Sequence, residues 1–465
     1  MHYEKFQDGS VKCIEDEIPF ELPEGWAWAR LGTVCSKVTD GTHHSPDNYP
    51  IGEYKYVTAK NIKSDGIVLD DITYVTAEVH KEIFSRCNPE FGDILYIKDG
   101  ATAGIATINT IHEEFSMLSS VALLKPAHDI DNWYMCHAMQ SPYFYSTTRG
   151  DMKGVGITRI TLNMLVSRLI PIPPVQEQKQ ISVKCRELIS LSSNIENDKN
   201  CIQQILSETK SRILDLAIRG KLVPQNSNDE PASVLLGRIR AEKEELIKQG
   251  KLKRDKKESV IFKGEDNSYY LRDVSGTREI NDEIPFDIPN SWEWGKIGDI
   301  MQVNPRNKLD DALEVAFVPM PMIDDGFSGK HVSDVRTWKS VKSGFTHFKE
   351  GDVGVAKITP CFENRKSTIF KNLTNGYGAG TTELHILRPY ASTILAEYIL
   401  AYVKSSLFIN KGVQEFTGAV GQQRISKEYV EDSFFPIPPL DEQARIVELI
   451  SSMFKYLDTI SNALV

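Results

Sequence analysis

Pro171–Ile181 reads PIPPVQEQKQI, and Pro436–Ile446 reads PIPPLDEQARI. In each, a short run of prolines ends one kind of segment and opens another. Proline suits the first turn of a helix, where its missing N–H would bond nothing. Both stretches therefore predict a helix leaving a globular domain. The Glu177-Gln178 pair returns as Glu442-Gln443, and a seven-residue rhythm follows each. After the first, Ile181, Leu188, Ile195 and Ile202 stand seven apart, followed by Thr209 and Leu216. Cys185, Leu206 and Ile213 lie on the companion seam, with Ser192 and Lys199 as polar breaks. After the second, Ile446, Met453 and Ile460 run beside Ile450, Leu457 and Leu464. Two helices with such seams can bury them against each other. The expectation is a rod of two helices with a globular domain at each end.

The duplication extends well beyond this pair, and a repeat decides architecture before any local reading does. Asp16–Gly32 (DEIPFELPEGWAWARLG) recurs as Asp282–Gly298 (DEIPFDIPNSWEWGKIG), so Trp26 and Trp28 match Trp292 and Trp294. Gly92-Asp93 answers Gly351-Asp352, Val121–Pro126 answers Leu384–Pro389, and Tyr134 to Phe144 answers Tyr398 to Phe408. Val155-Gly156 with Arg159-Ile160 answers Val420-Gly421 with Arg424-Ile425. Order is kept and the offset drifts by only a few residues, so one domain fold is present twice, over roughly 16–173 and 282–438.

Each copy mixes element types. Strands are expected at Glu53–Val57, Ile67–Val75, Asp93–Ile97 and Ser120–Leu124, then a helix at Asp131–Tyr145. The second copy predicts strands near Ala316–Met320, Val353–Ile358 and Glu383–Leu387, then a helix at Ala391–Asn410. Between the copies, Pro174–Arg219 and Pro231–Gln249 read as helices stopped by Gly220 and Gly250, and Lys251–Ser268 as a polar linker. The fold class is α+β, with two similar mixed domains separated by long antiparallel coiled-coil helices in a pseudo-twofold plan. The expected divisions are 1–173, 174–268, 269–438 and 439–465.

With 465 residues, 41% hydrophobic and 25% charged, the chain can hold two or three domains. No apolar run suits a membrane span, and the N-terminus has no apolar signal core. Seven cysteines without CxxC spacing suit reduced thiols in a cytoplasm. A net charge of −10 argues against indiscriminate nucleic-acid binding, so a DNA reader of this balance must gather its basic residues on one face. Arg238–Lys257 carries nine Lys/Arg against four Asp/Glu. That run is either a solvated face or a contact with DNA or an acidic partner.

No catalytic motif emerges. The sequence has no GxxxxGK[ST] loop, no HExxH or paired Cys/His cluster and no G-x-S-x-G elbow. It also lacks an Asn-Pro-Pro-aromatic tetrapeptide, Asn304-Pro305-Arg306 being the nearest approach. Gly376–Gly380 (GYGAG) looks like a cofactor loop, yet it precedes an expected strand and is read as a turn. His43-His44 has no further metal ligand nearby and is read as a polar loop. No metal site is expected, and the chain is read as a binding or assembly subunit.

Two similar domains, each followed by an IPPxxEQ helix, resemble the specificity subunit of type I restriction-modification systems. The telling residues are Trp26–Gly32, Asp40-Gly41-Thr42-His43, Gly92-Asp93-Ile94-Leu95, Pro171–Gln178 and Arg212–Pro224 (RILDLAIRGKLVP), with their second-copy partners. One departure is that RILDLAIRGKLVP has no second copy, so the helix after Pro439 is expected to pair with only part of the long one. The resemblance implies a non-catalytic subunit whose two target-recognition domains each read half of a split, asymmetric site in double-stranded DNA. It implies helices that set the spacing and dock two methyltransferase subunits, which transfer a methyl group from S-adenosylmethionine to adenine N6. Restriction subunits would add ATP- and Mg-dependent translocation and cleavage. No cofactor is expected on this chain itself.

A helix over Pro174–Arg219 would be at most roughly 70 Å long at 1.5 Å per residue, or about 20 base pairs of duplex. Base edges are read by Arg, Lys, Asn, Gln and short polar side chains on loops that enter a groove. The first-copy candidates are Thr42, His43, His44, Lys60, Asn61, Lys98, Lys153 and Arg159. The second-copy candidates are Arg306, Asn307, Lys357, Asn364, Arg365, Lys366, Gln422, Gln423 and Arg424. Arg159 and Arg424 hold matched places, which suits either DNA contact or a shared structural duty. The paired tryptophans are read as packing in preference to base stacking. The competing expectation is a two-domain coiled-coil scaffold that binds proteins and no DNA. A stand-alone methyltransferase or nuclease is opposed by the missing motifs.

Overall fold

Ile94–Ile97 and Val121–Leu124 are apolar at every position, which suits a strand with both faces covered. In the computed structural model, which describes residues 1–6, 8–150, 159–252, 254, 258–390, 393–419 and 421–464, both faces are covered. Ile94, Tyr96, Ala122 and Leu124 face one core with the helix Asn132–Gln140, and Leu95, Ile97, Val121 and Leu123 face another. The chain divides into two compact units, Met1–Glu196 and Asn197–Val465.

In the first unit, Ala106–Ile108, Ile94–Ile97, Val121–Pro126 and Cys35–Asp40 form an antiparallel sheet in that order. A second sheet pairs Phe115–Met117 in parallel with Tyr54–Val57, which also takes Thr73–Val75. In the second unit, Ser367–Ile369, Val353–Ala356, Leu384–Pro389 and Met301–Val303 repeat the first sheet strand for strand. Glu314–Val318 pairs in parallel with Tyr377–Gly380, as in the first copy. Both units mix helix and strand on one plan, so the fold is α+β and duplicated.

Each domain closes where its proline run begins. Leu169–Ile172 pairs with Ala27–Arg30, and Phe434–Ile437 with Glu293–Lys296. The Glu-Gln pairs then fix the departing helix to the domain. Trp26 Nε1 donates to Glu177 at 3.1 Å, and Trp292 Nε1 to Glu442 at 2.9 Å. Gln178 Oε1 accepts from Asp131 N at 2.8 Å while its Nε2 donates to Pro173 O at 2.9 Å. Gln443 repeats this with Leu395 N at 2.9 Å and Pro438 O at 3.0 Å, and Nε2 also reaches Thr393 O at 3.3 Å. Tyr134 and Tyr398 donate to the carbonyls of Pro171 and Pro436. The first tryptophan of each pair thus joins domain to helix, as read from the sequence.

The long helix spans Val175–Ile218 and stops at Gly220, whose φ of +64° and contact with Pro289 and Trp292 leave no room for a side chain. Ala232–Lys248 and Leu440–Ala463 are the other spacer helices. Within the second unit the long and C-terminal helices run antiparallel. Lys210 pairs with Asp458 and lies over the Phe454 ring, while Leu214 shares a groove with Val447 and Ile450. Of the seam positions, Leu206, Ile213 and Ile446 are buried, and Leu216, Ile450, Met453 and Leu457 are half-buried. Ile181 is half-buried, whereas Leu188, Ile195, Ile202 and Ile460 are exposed. Within the second unit the pairing runs along Lys210–Leu214 of the long helix.

Four readings are corrected. The helix expected over Asp131–Tyr145 is two, Asn132–Gln140 and Pro142–Gly150. That over Ala391–Asn410 is Ala396–Val403 and Ser406–Gln414. Ser141 Oγ and Ser405 Oγ accept from Phe144 N and Phe408 N, so each restarts a helix as a cap. The polar linker contains a strand, Val260–Lys263, in a three-stranded sheet with Tyr269–Asp273 and Gly276–Glu279. Gly376–Gly380 is mostly the strand Tyr377–Gly380, not a turn. A Cβ at Gly378 would fall 2.1 Å from the Phe348 ring, which itself stacks on Phe370, so packing explains the glycine. The basic run is partly neutralised within the chain, through Arg238–Glu230, Lys243–Glu258 and Arg254–Glu244.

A buried lysine ties two loops of the second domain, and its neighbour Arg365 reaches the long helix. Lys404 is 2% exposed and donates to the carbonyls of Gly326 and Arg365. Arg365 in turn donates to Lys404 O at 2.9 Å and to Ser211 Oγ of the long helix at 3.2 Å. Burial, with Arg365 adding to it, pushes the Lys404 ammonium down to about 7, against the pull of Asp324 and Asp325. From about pH 7 upward the unfolded lysine keeps a proton that the folded one has lost. The second unit therefore gains stability from this group as pH rises, by at most about 1.4 kcal/mol per unit. Urea unfolding at pH 7, 8 and 9 should show wild type gaining on Lys404→Met. Parallel pH dependence of the two would remove this role.

Candidate nucleic-acid interface

In each unit three segments meet at one end of the first sheet. They are the loop after its first strand, the lysine after its second, and the arginine that precedes the last helix of the domain. The lysines are Lys98 and Lys357, whose carbonyls accept from Ile160 N and Ile425 N, both at 2.9 Å. Isolated bridges join Asp99 to Arg159 and Ile358 to Arg424.

In the first unit, Cys35–Asp40 runs into Gly41-Thr42-His43-His44. A Cβ on Gly41 would lie 1.9 Å from Met117 O, so only glycine lets the loop leave the sheet here. Thr42 Oγ1 donates to His44 O at 3.0 Å and accepts from His44 N, which folds the loop back and leaves both histidines exposed. Asp40, 3% exposed, is the hub. Lys98 Nζ lies 3.1 Å from it, Arg86 Nη2 3.2 Å and His43 Nε2 3.4 Å. Arg159 pairs with Asp99 at 3.3 Å.

In the second unit, Met301–Val303 leads into Asn304-Pro305-Arg306-Asn307. Asn304 takes a φ of +57°, accepts from Ile386 N at 2.9 Å and bonds His385 Nδ1, which pins the loop. Desolvation pushes His385 down to about 4, so it is neutral at pH 7, and its Nε2–H donates to Ile425 O. Arg306 is exposed and donates to Phe345 O at 3.0 Å. Arg306 and Lys357 border a cavity of about 270 Å³, with Asn304, Thr346, His347 and Thr382 in its wall. Arg424 grips Glu383 with two bonds of 2.9 and 3.0 Å.

The candidates thus divide. Thr42, His43, His44, Lys98 and Arg159 gather in the first unit, and Arg306, Lys357, Gln423 and Arg424 in the second, where Thr359 N donates to Gln423 O. Several of the seventeen also have duties within their unit. Asn61, 2% exposed, closes the turn at Thr58 and donates to Val68 O. Lys98 is 6% exposed and faces Asp40. Asn307 ties Phe348 O to Arg388. Arg365 faces the long helix. Lys60 is exposed on the turn Ala59–Asn61, Asn364 and Gln422 are exposed, and Lys366 is half-buried. Lys153 lies outside the described residues. Arg159 and Arg424 share a structural duty, each holding a carboxylate at the same corner. Asp40, Arg86, His347 and Thr382 also stand at these corners and were not among the expected residues; only Asp40 carried a signal, through the DGTHH loop.

The described residues hold no group of three or more His, Cys, Asp or Glu suited to a metal, and no helix long and apolar enough to cross a membrane.

The family model for the type I restriction modification DNA specificity domain matches residues 23–205 and 289–464. The type I restriction enzyme EcoAI specificity subunit of Escherichia coli is 44% identical over 254 residues, 54% of this chain and 40% of that protein. This chain therefore spans about two-fifths of the length of that relative. The putative type I restriction enzyme MjaX specificity subunit of Methanocaldococcus jannaschii is 21% identical over 441 residues, 93% of this chain and 88% of that one. A solved chain from work on complex assembly and conformational transition of the type I R-M system aligns over 96% of this chain and 94% of its own length. It does so with a TM-score of 0.58 and 15% identity, a likeness of fold.

Proposed function

This chain belongs to the type I restriction modification DNA specificity family, and on that premise we propose that it is the non-catalytic, sequence-reading subunit of a type I restriction-modification complex. Each mixed domain reads one half of a bipartite, asymmetric site in duplex DNA. The helices fix the gap and dock two methyltransferase subunits, which use S-adenosylmethionine to methylate adenine N6. Restriction subunits, with ATP and Mg, would complete the cutting form, and the cytoplasm is where such a complex meets DNA.

The observation that carries this reading is the repeated corner. The same three segments converge at the same end of the same sheet in both units, on loops whose side chains differ. A shared frame with unlike tips suits two readers of unlike half-sites. The net charge of −10 favours the scaffold alternative and predicts weak DNA binding by the chain alone. The test is a gel shift of genomic duplex fragments by the chain purified with its methyltransferase partner. The reading expects a salt-sensitive shift that survives competitor DNA. Complete loss of the shift to competitor would favour the scaffold.

A further inference from the structure

The two corners differ in charge in a way the repeat does not require. Pairing of Asp40 with Ala122, and of Val303 with Leu387, makes Pro305 the counterpart of Asp40. Lys98 therefore pairs with a carboxylate at 3.1 Å, whereas the carboxylate nearest its counterpart Lys357, that of Glu383, is paired with Arg424. Among the described residues neither Lys357 nor Arg306 has an ion-pair partner, and both border the 270 Å³ cavity. Its wall contains no Asp or Glu. The neighbouring Glu383 is held by Arg424.

The rest of the wall also offers donors. His347 is 4% exposed, and its Nδ1 accepts from Asn307 N, so its Nε2 carries the proton. The Lys342 backbone carbonyl lies near enough to favour the ring's proton, so this donor has a partner within the domain. Thr346 and Thr382 supply hydroxyls. Two cations without an ion-pair partner among the described residues, with two hydroxyls, around a concave site make an anion receptor, and the Asn304 amide, already engaged with Ile386 and His385, does not compete.

We propose that this cavity is the phosphate seat of the second recognition domain, where Arg306 and Lys357 clasp one phosphodiester of the DNA backbone. The first domain has no equivalent seat because Asp40 neutralises it. This rests on the DNA-reading function proposed above. The second domain thus anchors the backbone, and the two half-sites contribute unequally to the salt dependence of binding.

The test uses the full chain in complex with its methyltransferase partner and a duplex carrying its own methylated motif. Affinity is measured against salt for wild type, Arg306→Gln, Lys357→Gln and the conservative Lys357→Arg. Each Gln variant should lower the slope of log affinity against log salt, by at most about one, leave the preferred sequence unchanged, and be rescued in Lys357→Arg. Neutral methylphosphonates placed singly along the second half-site should weaken wild type at one position and leave Lys357→Gln indifferent there. An unchanged slope with specific binding intact overturns the seat and spares the function. So does a relaxed base preference at constant slope, which would mean base contact. Stabilisation of wild type by inorganic phosphate, lost in the variants, with no sensitive position on DNA, would mean a free-anion site and also overturns it. No specific binding by wild type overturns both proposals.

Discussion

Gln443→Leu should lower the unfolding free energy of the second unit by about 3–5 kcal/mol. The side chain is fully buried, and leucine nearly matches its volume, so the loss is not one of packing. What goes is the partner of Leu395 N, Pro438 O and Thr393 O. Each backbone group left buried and unmatched costs about 1–3 kcal/mol, and the three costs overlap. Gln178→Leu should cost less, about 2 kcal/mol, because its third contact is long at 3.4 Å and Asp129 is exposed. Urea unfolding followed by hydrogen exchange would place the lost protection around Thr393–Leu395 and the start of the C-terminal helix. Losses below about 1 kcal/mol in both variants would show that the Glu-Gln motif does not clamp domain to helix.

The second large effect concerns the target. Removing Leu188–Asn194 deletes one heptad from the part of the long helix where Leu188, Ile189 and Leu191 are exposed. A heptad shortens a helix by about 10 Å, or roughly three base pairs of duplex, and turns its end by only about 20°. Every base pair removed also turns the far half-site by about 35° around the DNA. The expected methylated motif keeps both half-sites and loses roughly one to three base pairs of gap, with reduced occupancy. Altered half-site sequences with an unchanged gap would show that the helix does not set the spacing.

The sequence made the large features legible because they rest on local rules. Proline at a helix start, glycine at its stop and a heptad between them place Val175–Ile218 within a residue or two of expectation. The repeat carried the sheet order with it, since Gly92-Asp93 and Gly351-Asp352 sit at the same strand starts and their carboxylates pair with Lys125 and Arg388. What stayed hidden depends on contacts distant in sequence. Nothing near Lys98 says that Asp40 will lie beside it, so it read as a free cation. Arg365 looked exposed until Phe327, Lys404 and Ser211 surrounded it. The GYGAG run read as a turn because the Phe348 ring that requires its glycines is thirty residues upstream. Ser141 and Ser405 could each continue a helix or cap one, and only their surroundings decide.

The central claim is that this chain specifies a split DNA target. It is tested most directly by co-expressing the chain with its methyltransferase partner in a host without adenine methylation and mapping N6-methyladenine on the native DNA. The account predicts one motif of two short, unlike half-sites separated by a fixed unspecified gap. A soluble, assembled complex that leaves no new methylation, or a motif that is one unbroken block, would contradict it.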